Sequence, residues 1–77
     1  MKWRKGFIKH SKSRDVMFEV TEDPKVFDKF VILIGEWWNS GENHAGRGWP
    51  LGVTQVITIN KSQYKNWKYL EVDVWEE

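Results

Sequence analysis

Imidazoles, carboxylates and clustered tryptophans are the side chains here whose types and spacing could do chemistry. His10 and His44 are the only histidines, and Glu42 stands two residues before His44 inside WWNSGENHAGRGWPLG, residues 37–52. A carboxylate beside an imidazole is raw material for general acid–base catalysis, but that chemistry needs a held geometry, and a Gly-rich segment is a poor platform. A metal would need both histidines plus Glu42 or Asp15, and no ligand spacing marks such a set. GENHAGRG has glycines for a phosphate cradle but lacks the Lys-Ser/Thr that completes a P-loop. With no cysteine in the chain, thiolate ligands, a cysteine nucleophile and disulfide staples are excluded together. The expectation is a protein that is not an enzyme, with no catalytic residue, no metal and no cofactor.

Binding chemistry fits the same stretch better. It holds three of the six tryptophans and four of the six glycines. Trp38 and Trp49 offer flat rings, Arg47 a forked donor, and Asn39 and His44 further polar contacts; a loop on a rigid scaffold is where a small domain usually keeps its site. Adjacent Trp37 and Trp38 cannot both face inward on a strand, so one ring of this group is expected to be partly exposed. Trp is enriched among the residues that dominate protein interfaces. The leading expectation is therefore a non-catalytic protein-binding module that uses loop 38–50. The competing reading of the loop is structural, with Trp37 and Trp49 clamping its base.

Two further clusters qualify as sites. Residues 1–14 carry six basic side chains and no acid, whereas the remainder carries six basic and eleven acidic ones, a net of −5. Trp3, Arg4, Lys5, Lys9, Lys12 and Arg14 form a basic arm with aromatic content, so a small nucleic-acid-binding barrel is the alternative. The sequence pI of about 8.0 stands short of the >9 expected of a dedicated nucleic-acid domain. At the other end, Tyr69, Glu71, Asp73 and Trp75 share one face of an alternating strand and form a secondary acidic–aromatic patch. Opposite charges at the two ends also suit neighbouring strands facing one another. A third reading is a structural or virion subunit whose tryptophans are buried on assembly.

These side chains must be positioned by an all-β scaffold. The sequence has 77 residues, a length for one domain, 1–77, that must concentrate its stability in large side chains. No apolar run approaches the ~18 residues that span a bilayer, and no signal-peptide core follows the basic N-terminus, so a cytoplasmic protein is expected. Five strand candidates appear: 5–12, 15–21, 30–38, 53–59 and 68–75. FVILIGEWW is apolar on both faces, as a doubly covered central strand would be, and Gly35 within it suggests a bulge or bend. Asn60 with Gln63 has capping-box spacing for one helical or 3₁₀ turn before the last strand. The expected core is Phe7, Val16, Phe18, Val20, Phe30, Ile32, Ile34, Ile57, Trp67, Leu70 and Val72. This order of elements predicts a small five-stranded SH3-like barrel.

WWN at 37–39, WPLG at 49–52 and INKSQYKNWKYL at 59–70 make the C-terminal half similar to small uncharacterised proteins of tailed bacteriophages with SH3-like barrels. That resemblance implies inhibitory or adaptor binding directed at a host, in the host cytoplasm. It transfers no residue role.

Overall fold

The computed structural model describes residues 1–41 and 48–71. They form a curled antiparallel sheet, a half-barrel, of six strands: β1 Gly6–His10, β2 Val16–Val20, β3 Lys25–Val26, β4 Phe30–Asn39, β5 Trp49–Asn60 and β6 Trp67–Tyr69. A 3₁₀ segment, Lys61–Asn66, joins β5 to β6. The hydrogen-bonded order runs β3-β4-β2-β1-β6, with β5 on β4. β4 is the hub. β5 follows it from Phe30↔Asn60 to Asn39↔Trp49, while its other edge is shared by β3 at Val31–Ile32 and β2 at Gly35–Asn39.

Gly35 makes the hand-over to β2 possible. A Cβ there would lie 1.8 Å from the Glu19 carbonyl oxygen, so only glycine lets the β2 backbone approach so closely. The expected bulge at Gly35 is instead found between Trp37 and Trp38. On β5 this irregularity takes up Leu51 and Gly52, and Gly52 has a left-handed φ of 79°.

The core consists of Trp3, Ile8, Phe18, Val20, Val31, Leu33 and Ile59, with Trp37, Ile57, Tyr64, Trp67 and Tyr69 packed around it. Phe18, Val20, Ile57 and Trp67 are where the alternating pattern puts them. Three strands have the opposite phase from that expected. In β4, Val31 and Leu33 are buried, and Ile32 and Ile34 are only half-buried. The register Val31↔Ile59 and Leu33↔Ile57 sets that phase. In β1, Ile8 rather than Phe7 is buried, opposite Phe18 and Tyr69. In β6, Tyr69 joins the core cluster, and Leu70 follows it half-buried. Val16 and Phe30 are half-buried, and Val72 lies outside the described residues. Burying a side chain the size of Phe18 or Leu33 stabilises the fold by roughly 1.5–3 kcal/mol.

The 3₁₀ segment occurs where expected, but Asn60 makes no side-chain cap; its backbone is extended. The segment is held at both ends by backbone groups. Lys61 N–H donates to Lys29 O at 2.9 Å, and Ser11 N–H donates to Asn66 O at 2.7 Å.

Candidate binding surfaces

At the end of β4, strand alternation sends the two neighbouring tryptophans to opposite faces. Trp37 turns to the core side, its ring edge-on to Phe18 at 4.9 Å and its indole N–H donating to Gln55 Oε1 at 2.7 Å. Trp38 lies on the outer face against Phe7, 5.2 Å between centroids, and donates to Glu19 Oε1 at 3.1 Å. Both are half-buried with the indole N–H satisfied. Trp38, expected as a binding anchor, is thus tied into the outer layer of the sheet. Its bond to Glu19 also eases a facing pair of carboxylates, since Glu19 lies opposite Glu36.

Asn39 likewise turns inward in role. Its side-chain oxygen accepts from Gly41 N–H at 2.8 Å, an Asx-type turn that starts the connection. Ser40 fastens this turn to the β1–β2 connection, donating from N to Asp15 O at 2.6 Å and from Oγ to Arg14 O at 3.0 Å. His44 and Arg47 lie outside the described residues. Trp49 sits opposite Asn39 and is 38% exposed.

Beyond Trp49, β5 presents a surface that the sequence reading passed over. Leu51, Val53 and Val56 are all exposed, and no charged residue occurs between Trp49 and Asn60. Among the described residues β5 pairs with β4 alone, so its second edge carries backbone donors and acceptors that face outward. Natural sheets usually guard such an edge with lysine, proline or a bulge; on β5, Pro50 and the Leu51–Gly52 irregularity stand near its start, and residues 53–60 carry no such guard. The signal was visible as a 12-residue strand without a charge, but only the pairing order shows that it lies at an edge.

The basic arm is split by the fold. Trp3 is buried in the core, edge-on to Tyr64 at 5.1 Å and to Tyr69 at 6.2 Å, and so cannot stack a base. Arg4 is clamped at its backbone: its N–H donates to the Tyr69 hydroxyl at 2.6 Å, and that hydroxyl donates to Arg4 O. The Arg4 guanidinium covers the Tyr69 ring at 4.0 Å. Burial pushes the Tyr69 phenol above its ordinary value of 10.0, against the opposing pull of the Arg4 backbone bond and charge. Lys5 approaches Asp23 at 4.0 Å on the surface, a contact worth little.

Lys9, Lys12 and Arg14 lie at the other end of β1. The two chain ends do pair, but the described register sets Lys9 opposite Lys68 rather than opposite an acid. There Lys9, Arg14, Lys65 and Lys68 line a cleft of about 430 Å³ together with His10 and Trp67. In the acidic–aromatic patch, Tyr69 packs against the core and Glu71 is exposed; Asp73 and Trp75 lie outside the described residues.

Among the described residues no group of three or more His, Cys, Asp or Glu could hold a metal ion. No helix among them is long and apolar enough to cross a membrane. Comparison with known proteins found no family model that matches, and no match among curated proteins or solved structures.

Proposed function

We propose that this chain is a non-catalytic protein-binding module on an SH3-like barrel, acting by occluding or recruiting a partner through strand β5 and the loop that leads into it. The observation that carries this reading is the exposed, uncharged edge of β5 with Trp49 at its head. An extended partner segment adds to such an edge by backbone hydrogen bonds, while alternate side chains supply selectivity. Trp49 is the aromatic anchor, and Arg47 in the loop is the forked donor to a carboxylate or carbonyl. Trp38 and Asn39 act one step back, by fixing the loop's base. The resemblance to small phage proteins supports a host-directed partner.

The test is capture of partners from host lysate by tagged protein, with and without nuclease, beside Trp49→Ala and Val56→Lys. Val56 is 59% exposed, so a lysine there folds normally and places a charge on the edge. The reading requires a discrete protein that survives nuclease and is lost with both variants. Retention of that protein by both variants would remove β5 from the interface.

A further inference from the structure

The cleft at the far end of β1 calls for a ligand of its own. Arg14, Lys65 and Lys68 converge on it from three separate segments, namely the β1–β2 turn, the 3₁₀ segment and the start of β6, and Lys9 faces Lys68 across the strand pair. Among the described residues no carboxylate lines it. Ser11 and Ser13 also line it, with the Ser13 hydroxyl donating to Val16 O at 2.7 Å. His10 accepts the Lys12 N–H on Nδ1 at 3.0 Å, so the neutral ring carries its proton on Nε2 and has a donor to give. Gathered cations and neutral donors make a surface for an oxyanion.

A second cleft, of about 320 Å³, adjoins the first through His10, Ser13 and Trp67, and continues onto Trp37, Val16 and Met17. Its wall is almost wholly apolar. Trp67 is half-buried and holds His10 edge-on at 5.0 Å, so the boundary between the two clefts is aromatic. A cationic rim running into an aromatic slot matches a ligand with a phosphate at one end and a flat ring at the other. It matches a bare anion or an acidic peptide less well.

We propose that this composite cleft binds single-stranded nucleic acid, one nucleotide unit at a time, with the phosphate on Arg14, Lys65 and Lys68 and the base in the slot bounded by Trp67 and Trp37. Backbone tracking by cations with bases on aromatic faces is the general mode of sequence-tolerant single-strand binding. The site differs from the N-terminal arm, because Trp3 and Arg4 are engaged elsewhere, and its cationic rim comes from the β1–β2 turn, the 3₁₀ segment and β6; β5 enters through Gln55, which holds the Trp37 indole.

The experiment is fluorescence anisotropy of the full chain with a labelled ten-nucleotide oligothymidine at several salt concentrations. Single strands lose affinity with a log–log slope of about −0.7 per phosphate neutralised. Three contacts therefore give a slope near −2, and Lys65→Glu/Lys68→Glu lowers its magnitude by about 1.4. That double variant is expected to bind at least ten-fold more weakly at low salt. Lys2→Glu/Lys5→Glu makes the same change in net charge beyond the opposite end of β1 and is expected to alter affinity less than three-fold. Equal losses in the two pairs, or no binding by the parent at low salt, would overturn the proposal. Competition identifies the ligand class: thymidine 5′-monophosphate must displace the oligonucleotide better than inorganic phosphate or polyglutamate. Displacement by either of those as efficiently as by the nucleotide would reassign the cleft to simple anions or to acidic protein.

Discussion

At the scale of single residues, two glycines and one tyrosine separate packing from conformation. Gly35 has an ordinary backbone, but a Cβ there meets the Glu19 carbonyl at 1.8 Å, whereas Gly52 has φ +79° and open space around it. Gly35→Ala is therefore expected to cost about 3 kcal/mol through a forced shift of β2, read as a fall in Tm of some ~12–24 °C for a domain of this size. Gly52→Ala should cost roughly 1–2 kcal/mol, the left-handed penalty alone. Tyr69 supplies the third residue-scale test. Its hydroxyl both accepts from and donates to Arg4 at an exposed position, so Tyr69→Phe hands two backbone groups to water and should cost ~0.5–1.5 kcal/mol per hydrogen bond lost. Because the folded phenol ionises above 10.0, the fold favours the protonated form. That contribution is whole below pH 10.0 and is lost as pH rises through the higher folded value. Chemical denaturation across alkaline pH should show the decline in the parent and flatten it in Tyr69→Phe.

At the scale of elements, β4 shows what the sequence could and could not reveal. Its existence and central place were legible in FVILIGEWW, since a run apolar on both faces belongs between other strands. Its phase was not, because period-2 alternation gives no signal where both faces are apolar. The register with Ile57 and Ile59 decided it. Leu33→Ala should accordingly cost ~2–5 kcal/mol, and the half-buried Ile34→Ala clearly less; equal losses in paired melting curves would contradict the assigned phase. β2 was legible in both place and phase at Phe18 and Val20, where polar neighbours alternate cleanly. Tyr69 misled for a related reason. Alternation with Glu71 and Asp73 set it among the acids, yet the register opposite Ile8 packs the half-buried ring against the core and satisfies the hydroxyl with backbone. The candidate loop was legible as a cluster but not in its division of labour. Nothing in WWN says that Trp37 would seek Gln55 and Trp38 would seek Glu19; those partners come from elsewhere in the chain.

At the scale of the whole molecule, the two proposed surfaces draw their distinctive side chains from different elements. Along the hydrogen-bonded path β2 and β4 stand between β1 and β5, so the cationic cleft and the uncharged edge are borne by different strands. The fold gathers basic side chains from both halves of the sequence at one corner, an arrangement that the count along residues 1–14 did not disclose. Charge variants should therefore dissociate the two activities. Val56→Lys is expected to abolish protein capture and leave oligonucleotide affinity within three-fold, and Lys65→Glu/Lys68→Glu should do the reverse. Additive effects of the two variants would mark the surfaces as independent. Loss of both activities in either variant would show one shared surface instead.

The clasp between Arg4 and Tyr69 closes a separation of 65 residues, and this has a kinetic consequence. Contacts so remote in sequence carry a large loop-closure entropy and tend to form after nearer ones. The β4–β5 ribbon, joined through nine residues, 40–48, closes a far smaller loop and can assemble first as the folding nucleus. β1 and β6 would then dock in the final step. Truncating the clasp with Tyr69→Phe should chiefly accelerate unfolding, while Leu33→Ala should chiefly retard refolding. A chevron plot for each variant would separate the two limbs, and a slowed refolding limb in Tyr69→Phe would place closure of the chain ends before the ribbon.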